Sequence, residues 1–489
     1  MNLDISKKTG LSLGFGGMLI LLAALFNFLN GSALLYTSLC MILAGIVVYS
    51  FGEYNGELSG IKNNEVWFKS VSSKGVVAWI LGFVLTAFYV VIYWFPEYLG
   101  LHKEGNTGLV AFFDPLSYAL NGHGASQWFV YGTLYTVAIL GFGVKFILKY
   151  RHSNYQIIRT LSVMFFQLAF AFLLPEFLSK LNPDLDYFAK DIKNMWPLNY
   201  YFFEDWHLKA MLGGGNLGMF MLFFGIGMIF LISPILTYFF GKRWYCSWVC
   251  GCGGLAETAG DSFRQLSDKS VKAWKIERWL IHSVLLFVFI TTVAVIYSFL
   301  INEKAAIDPK LFLVGVILFL GVFSMYIFKI GYKKLALDAR KGIYWASGII
   351  SVFLIINMVI GNTNVFFIDS YTLRSWYGFF IGAAFSGVVG VGFYPILGSR
   401  VWCRFGCPMA AILGFQQKLL SRFRITTNGS QCISCGNCST YCEMGIDVRA
   451  YAQKGEDIVR SSCVGCGVCS AVCPRGVLKL ENGRVDIKL

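Results

Sequence analysis

About ten separate stretches of this chain are apolar over the roughly 20 residues that a helix needs to cross a bilayer at 1.5 Å rise per residue. They lie near 12 to 29, 33 to 50, 76 to 95, 128 to 148, 159 to 178, 215 to 240, 279 to 300, 311 to 329, 343 to 361 and 376 to 397. No water-soluble fold can bury so many uninterrupted apolar runs. The composition agrees: 56% of the 489 residues are hydrophobic and 14% charged, with a mean hydropathy of +0.61. The first stretch has no small-residue cleavage site and leads directly into the second across Asn30-Gly31, so it reads as a retained helix and not a leader.

Lys and Arg set the expected orientation. One set of connections carries Lys62, Lys69 and Lys74, then Lys149, Arg151 and Arg159, then Lys242, Arg243, Arg264, Lys269, Lys272, Lys275 and Arg278, then Lys333, Lys334, Arg340 and Lys341. The opposite connections balance their few cations with acids such as Glu97, Glu104, Asp114, Asp184, Asp186, Asp191, Glu204, Asp205 and Asp369. The basic side is therefore expected to face the cytoplasm. An even number of crossings from a start carrying Lys7 and Lys8 puts both termini there, in a bacterial inner membrane. The net charge of +14 follows from this asymmetry and gives no reason to invoke nucleic acid.

Of 14 cysteines, 13 follow residue 245, and eight fall between 432 and 473. From Cys432 the chain reads C-I-S-C-G-N-C-S-T-Y-C, and from Cys463 it reads C-V-G-C-G-V-C-S-A-V-C-P. Two intervening residues suit metal thiolates and strain disulfides. This is the two-cluster bacterial ferredoxin spacing written twice, in which the fourth cysteine of each run serves the other cluster. One [4Fe-4S] cluster is thus expected on Cys432, Cys435, Cys438 and Cys473, and a second on Cys463, Cys466, Cys469 and Cys442. Structural zinc is the alternative, but its ribbons present pairs of cysteines, not runs of four. Gly436, Gly465 and Gly467 suit a backbone that turns tightly beside sulfides. Cys473 is followed by Pro474, whereas Cys442 is followed by Glu443. The expected fold is an all-α polytopic membrane bundle over residues 1–424, followed by a separate soluble α+β double-cluster ferredoxin-like domain over 425–489.

A second pattern repeats outside the ferredoxin runs. Gly241-Lys242-Arg243-Trp244-Tyr245-Cys246-Ser247-Trp248-Val249-Cys250 and Gly398-Ser399-Arg400-Val401-Trp402-Cys403-Arg404-Phe405-Gly406-Cys407 share G-x-R-x-[YW]-C-x-[WF]-x-C, each at the basic end of a span. In a helix, cysteines four apart share one face. Cys246, Cys250, Cys403 and Cys407 brought together would then offer four thiolates to a third Fe-S cluster. A redox dithiol and plain packing are the competing readings. Cys252 could replace Cys250, and Cys40, alone in an apolar span, reads as packing.

With these motifs the chain resembles, from about residue 150 onward, the membrane polyferredoxins of the NosR and NapH type. Their paired motif is C-x3-C-P; Cys407 has its Pro408, while Cys250 precedes Gly251. The resemblance implies electron transfer between cytoplasmic or quinone-pool donors and respiratory redox partner proteins in the lipid membrane, with metallocentre maturation as a rival role and redox sensing as another. No C-x-x-C-H, no G-x-G-x-x-G and no flavin-attachment segment is present. Any enzyme function would therefore be that of an electron-transfer component. His282 is a weak haem candidate. Gln167, Asn357 and Glu176 either mark a pathway or join helices, and the loop over 179–213, with Trp196 and Trp206, reads as an interfacial belt.

Overall fold

The computed structural model describes residues 3–55, 75–183, 185, 190, 196–199, 202–302 and 307–483. Nine helices among them are long and apolar enough to cross a membrane. They are α1 (Leu3–Leu25), α2 (Ser32–Tyr54), α3 (Val76–Trp94), α4 (Gln127–Lys149), α5 (Asn154–Leu181), α6 (Gly215–Phe240), α7 (Val271–Asn302), α8 (Pro309–Lys329) and α9 (Leu337–Ile360). The chain through the tenth expected stretch still joins the two ends of the bundle, from Leu373 packed with Val293 and Tyr297 to Arg404 paired with Glu277 near the start of α7, but it is irregular. Helix Ser370–Tyr377 runs on as a π-helix over Gly378–Val389, turns, and resumes as the single helical turn Tyr394–Leu397. Its polar start, Ser370 to Ser375 with Arg374, keeps it from being a uniformly apolar span.

Proline explains two further irregularities. A proline removes one N–H and pushes on the carbonyl four residues before it, and a wider π turn relieves both. In α5 the π segment Phe166–Leu173 precedes Pro175, and in α6 the π segment Met228–Ile232 precedes Pro234. The polar residues noted inside the spans join helices: Gln167 donates to Thr136 (3.1 Å), Asn357 to the Tyr297 hydroxyl (2.9 Å), and Glu176 accepts from Asn121 (2.7 Å). Trp196 packs inward, its indole donating to Thr292 in α7, while Trp206 is exposed as an interfacial residue would be. Cys40 does not pack in the bundle; it lies on the outer surface of α2, where a weakly polar thiol meets hydrocarbon at little cost.

Helices α1 and α2 meet at backbone distance. A Cβ on Gly45 would lie 2.4 Å from the Gly14 nitrogen, and one on Gly10 2.4 Å from the Tyr49 nitrogen. Small residues at such crossings let dispersion contacts form between backbones. Gly45→Leu is expected to push the pair apart and cost about 1–3 kcal/mol, read as a lower unfolding temperature of the detergent-purified protein; an unchanged midpoint would show that the helices can move without loss.

The N-terminal end of α1 and the C-terminal end of α2 lie together, with Lys7 paired to Glu53 at 2.7 Å and Arg151 donating to the Tyr54 carbonyl at 3.3 Å. That is also the end of the bundle on which the cysteine-rich region sits. Lys62, Lys69, Lys74, Asp184, Asp186 and Asp191, counted above for orientation, fall outside the described residues. After α10 (Pro408–Leu420), strand β1 (Arg424–Thr427) pairs antiparallel with β2 (Leu478–Glu481), Arg424 opposite Glu481 and Thr427 opposite Leu478. The two strands close the ferredoxin-like part at its base. Short helices Asn437–Thr440 and Val468–Ala471 follow Gly436 and Gly467, both at positive φ (83° and 75°), so the two cysteine runs fold alike.

Candidate iron-sulfur sites

The ferredoxin-like part does not stand apart as a separate module, contrary to the sequence expectation. Cys438, Cys463 and Cys469 share one continuous buried core with Cys246, Cys250, Cys403 and Cys407, against which Cys432, Cys442, Cys466 and Cys473 also pack. Bundle side chains satisfy the carbonyls of the second cysteine run. Ser247 donates to the Val464 oxygen (2.9 Å), Tyr155 to that of Gly465 (2.9 Å), Gln156 to that of Cys466 (2.9 Å), and Gln417 to those of Arg460 and Cys463 (2.8 and 2.9 Å). This run therefore faces the bundle. The first run faces outward, with Cys435 exposed and Cys432 half-buried.

Each expected set of thiols is brought together. Cys432, Cys435, Cys438 and Cys473 line one small cavity. Cys469 lies within electrostatic reach of Cys466, Cys463 and Cys442, and Cys407 within reach of Cys403, Cys246 and Cys250. Cys252 adjoins Cys250 and senses Cys403 and Cys407, so a fifth thiol borders the third group. Burial pushes the deeper thiols up, Cys246 to about 12 and Cys463 to about 11; Cys466 is raised to about 12 by burial and then by the Glu443 carboxylate. Bare, they are neutral apolar groups. A positively charged metal centre is what would deprotonate them, and three convergent sets of four soft donors fit Fe-S ligation.

The paired motifs correct the helical-face argument while keeping its result. Neither pair lies on one regular helix. Cys246 ends the helical turn Arg243–Cys246, and Cys403 lies in the π turn Trp402–Gly406. The second cysteine of each pair is extended and stands at the N-cap position of the next helix: Cys250 (φ −67°, ψ 123°) precedes Gly251–Glu257, and Cys407 (φ −76°, ψ 116°), whose sulfur also accepts from the Ala410 amide, precedes α10. Their amides bond alike, Cys250 to the Tyr245 carbonyl (2.8 Å) and Cys407 to that of Trp402 (2.9 Å). The glycines that open the motifs, Gly241 and Gly398, both have positive φ (66° and 98°) and are followed by these turns. The sequence repeat is thus a structural repeat, despite Gly251 in place of a proline.

Between the third thiol group and the inner ferredoxin run lies a buried charge network. Arg400 pairs with Glu257 (2.5 Å) and Glu443 (3.0 Å), and its guanidinium approaches the Cys403 sulfur (3.6 Å) and donates to the Cys246 carbonyl (3.1 Å). Arg264 joins Glu443 (2.9 Å) to Asp261 (3.0 Å), which also binds Lys149 (2.6 Å); Arg159 pairs with Glu257. The residue after Cys442 is thus linked through one guanidinium to Cys403. Sequence reasoning noticed only the odd identity of Glu443, and counted Lys149, Arg159 and Arg264 as loop cations. Glu257, Glu443 and Cys466 also bring donor atoms within 4.8 Å of one another, but the arginines already neutralise both carboxylates. His282 lies at the surface of α7 and lines the same cavity as Cys403 and Arg404.

Residues 424–474 match the family model described as 4Fe-4S dicluster domain. Residues 222–274 and again 378–426 match the model described as 4Fe-4S binding domain, the two copies coinciding with the two paired motifs. Over 221 residues the chain is 27% identical to the Escherichia coli (strain K12) protein named "Putative electron transport protein YccM", covering 45% of this chain and 47% of that protein. The chain thus spans about half the length of this curated relative. No solved structure matches it significantly. The fold and these matches define a polytopic helical membrane protein bearing 4Fe-4S binding regions.

Proposed function

We propose that this protein is a membrane-bound electron carrier of the NosR/NapH polyferredoxin type, working between cytoplasmic or quinone-pool donors and a respiratory partner. Residues 1–424 form its membrane part and 425–489 its ferredoxin-like domain, on the cytoplasmic side with both termini. Cys432, Cys435, Cys438 and Cys473 hold an outer [4Fe-4S] cluster; Cys463, Cys466, Cys469 and Cys442 hold an inner one. Cys246, Cys250, Cys403 and Cys407 hold a third at the bundle face. The observation that carries this reading is the shared core: three convergent thiol groups follow one another from the exposed Cys435 to the end of the bundle.

When bound, such clusters supply one-electron chemistry whose potential follows burial, hydrogen bonds to sulfur and nearby charge. The chain provides all three influences. The Ala410 amide donates to the Cys407 sulfur (3.4 Å) and Arg400 to that of Cys403 (3.6 Å). The buried Lys242 ammonium acts on both Cys246 and Cys463. These positive groups stabilise added negative charge and so favour the reduced form. A potentiometric EPR titration tests this: Arg400→Gln is expected to lower the third site's potential while leaving the outer site unmoved. Equal shifts at every site would point to general loosening.

The paired backbone geometry favours Cys250 over the neighbouring Cys252 as the ligand. Because Cys250 takes the same extended N-cap position as Cys407, with its amide bonded alike, Cys250→Ser is expected to abolish the third site's EPR signal, while Cys252→Ser keeps it. The opposite pattern would make Cys252 the ligand.

A further inference from the structure

A cavity of about 510 Å³ opens where α7, α10 and the loop around Arg460 meet. Helix α7 has 32 residues, about 48 Å at 1.5 Å each, so its first turns stand above a hydrocarbon layer of about 30 Å. Those turns contact the ferredoxin-like part, where Arg460 stacks over Trp274. The cavity's floor descends along α7 through Ile281 and Leu285 and is closed by Phe415. Its rim carries Lys334, Lys418 and Arg460, all half-buried. None of the three has an ion-pair partner among the described residues. Two of them are held in place by carbonyls, Lys334 by that of Leu419 and Lys418 by that of Val459 (2.5 and 2.8 Å). Of the other charged groups at the cavity, Arg404 pairs with Glu277 at 2.7 Å, Arg278 with Asp338 at 2.5 Å and Asp457 with Arg424 at 3.8 Å, while Lys242 lies fully buried at its inner side and adds a further positive charge.

Like charges fixed together beside an apolar floor repel one another until an anion lies between them. Burial, then Arg460 and Lys334, pull the Lys418 pKa below its ordinary value, which records that crowding. We infer that this cavity binds an acidic phospholipid, its phosphate among Lys334, Lys418 and Arg460 and its acyl chains along Ile281 and Leu285. A neutral ligand would leave the cations uncompensated, and a free anion would leave the floor unused. Basic pockets beside membrane helices are suited to such headgroups. Because the loop around Arg460 supplies one wall, the lipid would tie the ferredoxin-like part to the bundle. Cys403 also borders the cavity, but the phosphate position among Lys334, Lys418 and Arg460 does not require it to ligate iron.

The test uses the full-length holoprotein in mild detergent, with native mass spectrometry and hydrogen exchange. Dioleoyl-phosphatidylglycerol, dioleoyl-phosphatidylcholine and inorganic phosphate are the probes. Phosphatidylglycerol should be retained in preference to phosphatidylcholine and should protect residues 457–462 from exchange in the parent protein. Lys334→Gln/Lys418→Gln/Arg460→Gln should weaken retention by roughly 100-fold, while Lys334→Arg/Lys418→Arg/Arg460→Lys should preserve it. Equal retention of the two lipids, or no loss in the neutralised variant, would overturn the inference. Protection by inorganic phosphate alone, with phosphatidylglycerol displaced, would overturn it in favour of a free anion. Should the neutralised variant not fold, the parent's lipid preference and protection pattern decide the matter.

Discussion

Glu443→Ala is expected to destabilise the junction between the bundle and the ferredoxin-like part by about 3–5 kcal/mol. Glu443 is fully buried between Arg264 (2.9 Å) and Arg400 (3.0 Å), and both guanidiniums are themselves inaccessible. Removing the carboxylate leaves two cations without part of their compensation in a region water does not reach. Asp261 and Glu257 still hold the other sides of the arginines, so the fold is expected to survive at low temperature. Limited proteolysis and thermal unfolding should show earlier release of the C-terminal region. Glu443→Ala/Arg400→Leu should recover part of the loss, because it removes one stranded charge together with its partner. An unfolding midpoint equal to that of the parent would mean that the network does not hold the two parts together.

Asp261→Asn is expected to cost a similar amount, by a route that also fixes a pH dependence. Burial alone would raise the Asp261 pKa, but Lys149 and then Arg264 outweigh it and bring the carboxyl down from 3.8 to about 2. A folded-state pKa below the unfolded one stabilises the protein above the unfolded value, and the gain is lost as pH falls through the folded one. The shift corresponds to about 2 kcal/mol, fully present above about pH 4 and gone below about pH 2. At neutral pH the asparagine variant loses this contribution and also strands Lys149 and Arg264. Comparing the two proteins' unfolding at pH 7 checks the prediction, and a difference under about 0.5 kcal/mol would contradict it.

Much of this arrangement was legible in the chain. Spans follow from apolar length alone, and nine of the stretches became helices able to cross a membrane. The ferredoxin runs are as readable, because thiolates around one cluster leave little freedom in spacing. Less legible were the breaks in the helices. The prolines at 175 and 234 are visible, but the π turns before them depend on which neighbours fill the widened backbone. The paired motifs were found by repetition, yet their common face comes from a turn and a helix cap, not from one helix. Least legible was the charge network. Arg159, Arg264 and Lys149 look like ordinary loop cations by composition; only tertiary contact reveals that Glu257, Asp261 and Glu443, distant in sequence, neutralise them. Glu443 in the place of a proline was the one local sign.

We propose that the repeated cysteine pairs add a third site, at the bundle face, to the two of the ferredoxin-like part. Iron and acid-labile sulfide per chain on anaerobically purified protein, with EPR of the reduced form, test it most directly when the parent is compared with Cys246→Ser/Cys403→Ser. About 12 iron and 12 sulfide per chain are expected in the parent and about eight of each in the variant, with the ferredoxin signals retained. About eight of each in both proteins, with identical spectra, would contradict it and leave those cysteines as thiols or packing.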